Sequence, residues 1–117
     1  MVMTEKASPI KLREEFLELR DIIRDVLKNL RAFVEVEDYS FVEKARQLCE
    51  SLDGKELSGF EDLKNNVETI YLAYRQTGGK LDTETHAHLV SQAVYAIVRA
   101  NILLTGLEFK VKRMRGF

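Results

Sequence analysis

Apolar residues recur along the first third of the chain with a helical period. Leu12, Phe16, Leu19, Ile23, Val26, Leu30 and Phe33 follow one another at spacings of 4-3-4-3-4-3. This is the a/d stripe of three heptads, and Leu17, Ile22, Leu27 and Val34 widen it. Ser8 before Pro9 fits an N-cap followed by proline at the first helical position, where the missing N–H has no partner to lose. The pattern predicts a helix from about Pro9 to Val34, about 39 Å long at 1.5 Å per residue. It is too apolar to stand exposed.

The acidic run Glu35-Val36-Glu37-Asp38 breaks the stripe. Ser40 and Glu43 form an S-x-x-E capping box, predicting a second helix with Phe41, Ala45, Leu48 and Leu52 on its face and a stop at Asp53-Gly54. Ser58 and Glu61 repeat the box ahead of a third helix, with Phe60, Leu63, Val67, Ile70 and Tyr74 on one face and Gly78-Gly79 as the stop. Asp82 or Thr83 caps a fourth. From Ala87 to Leu104 this helix is apolar on most sides, the mark of a central, buried element. Beyond Gly106, Leu107, Phe109 and Val111 alternate with Glu108, Lys110 and Lys112, the period of an edge strand or extended arm. A lone strand has no partner in the chain, so pairing with another chain or a frayed tail is expected. No internal repeat and no low-complexity segment occurs.

The expected fold class is therefore all-α, a single-domain bundle of about four helices over residues 1–117, with a disordered start at 1–7 and a basic tail at 107–117. A length of 117 residues suits one core, and 45% hydrophobic with 32% charged residues is ordinary for a folded domain. One proline and six glycines argue against a many-turned β fold. No uninterrupted apolar run reaches the roughly 18 residues of a bilayer span, and Met1 to Ser8 lacks the apolar core of a secretory signal, so no membrane is expected. The single Cys49 allows no internal disulfide and suits a reducing cytoplasm.

Net charge is −1 but unevenly spread. Residues 110–117 hold Lys110, Lys112, Arg113 and Arg115 and no acid, leaving 14 of the 18 cations against 19 acids elsewhere. The first helix has a second basic feature. Arg20, Arg24, Lys28 and Arg31 run at 4-4-3 spacing, with Arg13 one heptad before Arg20. Like charges at i,i+4 repel slightly, so the helix itself gains nothing from this ridge. Such a ridge and tail can neutralise phosphates in a salt-sensitive contact with RNA or DNA. A solvated surface is the competing reading.

Candidate chemistry is sparse. Glu14-Glu15-x-x-Glu18 followed by Glu35-x-x-Asp38 resembles the Mg²⁺-gathering pattern of MazG-type nucleotide pyrophosphohydrolases. Here, however, the second group falls in a break between helices, and a solvated acidic face explains it as well. His86 and His88 form i,i+4 pairs with Asp82 and Glu84, but on different helix faces, and a pair does not make a zinc site. Cys49 reads as a buried small hydrophobe. Asn101, inside an apolar helix, either fixes register in a packed interface or is an ordinary satisfied polar residue. No catalytic residue, metal or cofactor is assigned.

Asp38-Tyr39-Ser40-Phe41-Val42-Glu43-Lys44-Ala45 resembles the opening of the helical core in small subunits of archaeal type I-A CRISPR effector complexes. The resemblance covers about ten residues. It implies a non-catalytic subunit, several copies of which line a ribonucleoprotein filament and support pairing of guide RNA and target DNA through basic residues. Apart from it, the residues leave three functions open: a nucleic-acid and protein-binding subunit, an oligomeric helical adaptor without nucleic acid, and a Mg²⁺-dependent pyrophosphohydrolase. Self-association is expected of the first helix, whose apolar surface exceeds what three shorter neighbours cover.

Overall fold

A computed structural model describes residues 9–55 and 57–114, for Pro9 and Ile10 the backbone alone. Its four helices are α1 (Pro9–Val36), α2 (Ser40–Glu50), α3 (Phe60–Gln76) and α4 (Thr83–Arg113). The molecule is an all-α bundle. Ser8, the residues expected to be a disordered start, and Arg115 lie outside the described residues.

The heptad stripe of α1 does what its spacing requires. Leu19, Ile23, Val26, Leu27, Leu30 and Phe33 are buried, and only Leu12, 40% exposed, stands out from it. Burial of each such side chain is worth about 1.5–3 kcal/mol before the entropy of ordering the chain is charged against it. α1 packs most extensively against α4 and next against α2, while α3 bridges α2 and α4, so the four helices close a ring. α1 and α4 run antiparallel: Arg24 pairs with Glu108, and Lys110 lies over the Phe16 ring. Both outrun α2 and α3, which draws the molecule out to 58 × 24 × 18 Å.

The helix ends show why three start signals resolved differently. At α2 the expected Ser40 box does not form. Asp38 Oδ1 instead accepts from the Ser40 backbone N–H at 2.9 Å, and Ser40 is already helical. The nearer carboxylate takes the donor, and the cap position falls one residue upstream, at Tyr39, which makes no side-chain cap of its own. At α3, Gly59 occupies the cap position at φ 87°, a left-handed conformation, and the Ser58 hydroxyl caps nothing. At α4 the cap forms as expected, with Asp82 accepting from Thr85 N–H at 2.7 Å. The ends behave similarly. α2 stops at Glu50, before Gly54, whereas α3 ends in a Schellman motif: Gly78 N–H donates to Arg75 O and Gly79 N–H to Tyr74 O, with Gly78 at φ 64°.

Two expectations about α4 are corrected. The alternation at Leu107, Phe109 and Val111 is neither strand nor arm: α4 continues through Gly106 to Arg113, and Leu107 and Val111, i,i+4 on one face, are buried against α1. A three-residue alternation also satisfies a helix when the middle residue faces out, and Phe109 is 58% exposed. Nor is α4 buried all round. It turns Ala93, Ala96 and Ala100, with Leu89, Leu103 and Leu107, towards its neighbours, and leaves Val94, Tyr95, Val98, Ile102 and Phe109 outside. The surplus apolar surface expected on α1 is therefore on α4. By length and composition α4 would suffice to cross a bilayer, with a mean hydropathy of 1.3 over 18 residues of which 28% are buried, although polar residues interrupt its apolar run.

Candidate nucleic-acid interface

The cationic ridge of α1 emerges as one wall of a seam. Arg13, Arg20, Arg24, Lys28 and Arg31 fall within about 80° on a helix turning 100° per residue, on the flank facing α4. Two grooves follow one another along that seam. The first, about 520 Å³, is lined by Arg13, Arg20, Thr105, Glu108, Phe109, Val111 and Lys112. The second, about 640 Å³, is lined by Arg24, Leu27, Lys28, Arg31, Ala32, Glu35, Asn101 and Leu104. The Arg24–Glu108 pair, 3.0 Å apart, sits where they meet. From Arg13 to Arg31 the wall is about 27 Å long at 1.5 Å per residue.

Six cations thus line the grooves against two carboxylates, Glu35 and Glu108, in a chain whose net charge is −1. Some of this charge is spoken for: Arg20 holds Asp21 at 3.2 Å, and Arg24 holds Glu108. Lys28, Arg31 and Lys112 have no ion pair among the described residues, and the buried Nε of Arg13 has no hydrogen-bond partner. Asn101 lies on the groove floor, half-buried, not in the core.

Not every expected residue joins this site. Lys110 is drawn over the Phe16 ring at 5.3 Å, and Arg113 over Phe109 at 5.8 Å; neither is among the residues lining these two grooves. As far as Arg113 the basic tail is thus the last turns of α4, and of its described cations only Lys112 is turned into the seam.

The acidic pattern is taken apart by the same helix. Glu14, Glu15, Glu18 and Glu35 all belong to α1. A continuous helix sets Glu18 and Glu35 about 26 Å apart along its axis, far beyond what one Mg²⁺ or a metal pair bridges. Among the described residues no three His, Cys, Asp or Glu side chains gather closely enough for a metal ion. Cys49 is buried, and burial pushes its thiol up to about 12, so it packs as an apolar group.

One polar cluster was not legible in the chain. His86 does not use Asp82 as a side-chain partner. Its Nε2 meets the Glu37 carboxylate, and its Nδ1 lies 2.9 Å from the Tyr39 hydroxyl. Tyr39 stacks on Tyr74 with centroids 4.4 Å apart. Burial, then the Glu37 charge, raises the Tyr39 phenol above its ordinary value, so it stays protonated. Glu37 takes φ 57°, which lets the chain reverse between α1 and α2 while its carboxylate reaches the start of α4. The cluster fastens one end of the bundle. His88 is exposed and stands apart from it.

Comparison with protein-family models, curated proteins and solved structures finds no match for this chain.

Proposed function

We propose that the protein is a non-catalytic subunit of a nucleoprotein assembly, holding RNA or DNA by its phosphates along the α1–α4 seam. The observation that carries this reading is the six-to-two excess of cations in the two grooves, set on an otherwise slightly acidic chain. Arginine and lysine at one-turn intervals neutralise successive phosphates without reading bases, so the contact is independent of sequence and weakened by salt. A small subunit of a type I-A CRISPR effector, the role implied by the Asp38–Ala45 resemblance, is the specific form of this proposal, and a cytoplasmic setting goes with it. Reversing Arg20, Arg24 and Arg31 to Glu should abolish retention of labelled oligonucleotides while leaving helicity unchanged; binding that survives the triple reversal would sink the proposal.

The second reading, an oligomeric adaptor without nucleic acid, is favoured by a different observation, the apolar strip along the outside of α4. Nucleic-acid retention and oligomeric state are separable measurements, so the two readings can be told apart.

A further inference from the structure

Among the described residues, most of the large exposed apolar side chains lie on the outer strip of α4. Val94, Tyr95, Val98, Ile102 and Phe109 are each between 46% and 67% exposed. At 100° per residue they centre on the side of the helix opposite Ala96, Ala100 and Leu107. Scattered apolar residues are ordinary on a surface; five on one strip form a patch of the kind that marks an interaction site.

We propose that a second copy of this chain covers the strip, packing α4 antiparallel against α4 with Val98 on the two-fold axis. The register follows from the spacing. Outward positions run from residue 84 to residue 112 at intervals of 3-4-3-4-4-3-4-3, a series that reads the same in both directions about Val98. In an antiparallel pair Val94 then layers with the partner's Ile102, and Ser91 with the partner's Thr105. Ala87 leaves room for the partner's Phe109, small against large. All of these positions except the two-fold one are met twice.

Charge selects the orientation. The first turn of α4 holds Glu84 after the Asp82 cap, whereas its last turn holds Lys110, Lys112 and Arg113. Antiparallel pairing places Glu84 opposite the partner's Lys112 at both ends. A parallel pair would crowd the two basic ends together.

The symmetry has a consequence for the seam. A two-fold that reverses α4 and turns strip to strip runs sideways through the pair, so it does not exchange the two edges of the strip. The α1 edge of each copy falls on the same side of the dimer, and the two grooves share one broad basic face. Only the use of that face for nucleic acid rests on the proposed function; the dimer itself does not.

Sedimentation equilibrium of the full chain at micromolar concentration, with oxidative cross-linking, tests this. The expected result is a dimer that Ile102→Lys turns into a monomer of unchanged helicity, the position being exposed in the single chain. Val98→Cys should cross-link to itself, whereas Ile102→Cys should do so only when mixed with Val94→Cys. A chain that stays monomeric at every concentration overturns the proposal. So does a dimer in which Ile102→Cys cross-links alone and Val98→Cys does not, or a monomer whose strip inserts into phosphatidylcholine vesicles. Oligonucleotide retention by a monomeric chain would leave the seam reading standing while removing the dimer.

Discussion

Arg46 and Arg31 carry the same charge, but only Arg46 is committed to the fold. Its guanidinium holds Glu68 at 2.8 Å and Glu50 at 2.8 Å and lies over the Tyr71 ring at 4.3 Å, and the Glu68 hydrogen bond raises its already high value further. Arg31 lines the second groove with no ion pair among the described residues. Arg31→Ala should therefore flatten the salt dependence of single-strand binding by about 0.7 of a unit of log–log slope with little effect on stability. Arg46→Ala should do the reverse, costing about 0.5–1 kcal/mol in urea titrations, the scale of half-exposed pairs, and leaving binding intact. His86→Ala removes the partner of the Tyr39 hydroxyl at a half-buried site and should cost about 1 kcal/mol by the same measurement. Cys49 should resist iodoacetamide at neutral pH until the chain is unfolded, because its thiolate is suppressed by burial. The residues of the ridge could be named from spacing alone, since i,i+4 repetition is a local property. The Glu37–His86 contact could not: the partners are 49 positions apart and brought together by the packing of α1 against α4.

At the scale of elements, α1 was legible together with the face it buries, whereas of α4 the start and the span to Leu104 were legible but not the buried face, for a common reason. A heptad stripe with charged residues between its members has one orientation that buries it, and α1 adopts that orientation. α4 offers two apolar faces, one of alanines with leucines and one of bulkier branched and aromatic residues. The bundle buries the smaller-residue face, because Ala93, Ala96 and Ala100 let α1 and α3 approach closely. Ala100→Leu, overpacking that face, should cost about 1–3 kcal/mol in chemical denaturation despite raising the hydrophobicity of the helix. The helix starts teach a related lesson. Asp82 capped as its pattern implied, whereas Ser40 lost its place to Asp38, since the box pattern does not say which of two nearby acceptors takes the donor. The Thr85 N–H hydrogen bond holds the Asp82 carboxyl below its ordinary value of 3.8. A depressed carboxylate contributes stability above its unfolded value and loses it as pH falls through the folded one. Asp82→Ala should accordingly melt below the wild-type chain at neutral pH, with a gap that closes as pH drops below about 4.

Over the whole molecule, two surfaces run side by side along the long axis: the cation-lined seam between α1 and α4, and the apolar strip on the outside of α4. The strip and the seam share an edge of α4, where Thr105, Phe109 and Lys112 lie, so a dimer through the strip would take these three from one rim of the first groove and leave the cations of the α1 wall open. The fold class was plain from periodicity, and so was the cationic ridge. That the ridge forms the wall of a groove, and that its opposite wall is the helical segment carrying Glu108 and Lys112, depended on the antiparallel register of two helices far apart in the chain. Neutralisation of phosphates by this seam shows itself in the salt dependence of binding. Anisotropy titrations of a labelled single strand between about 50 and 200 mM salt should give a log–log slope of about −3.5 to −4, from five or six cations at roughly 0.7 each, and the Arg20, Arg24 and Arg31 triple reversal should erase it. Affinity that is absent at low salt, or that persists unchanged across this range and in the reversed chain, would contradict phosphate binding along the seam.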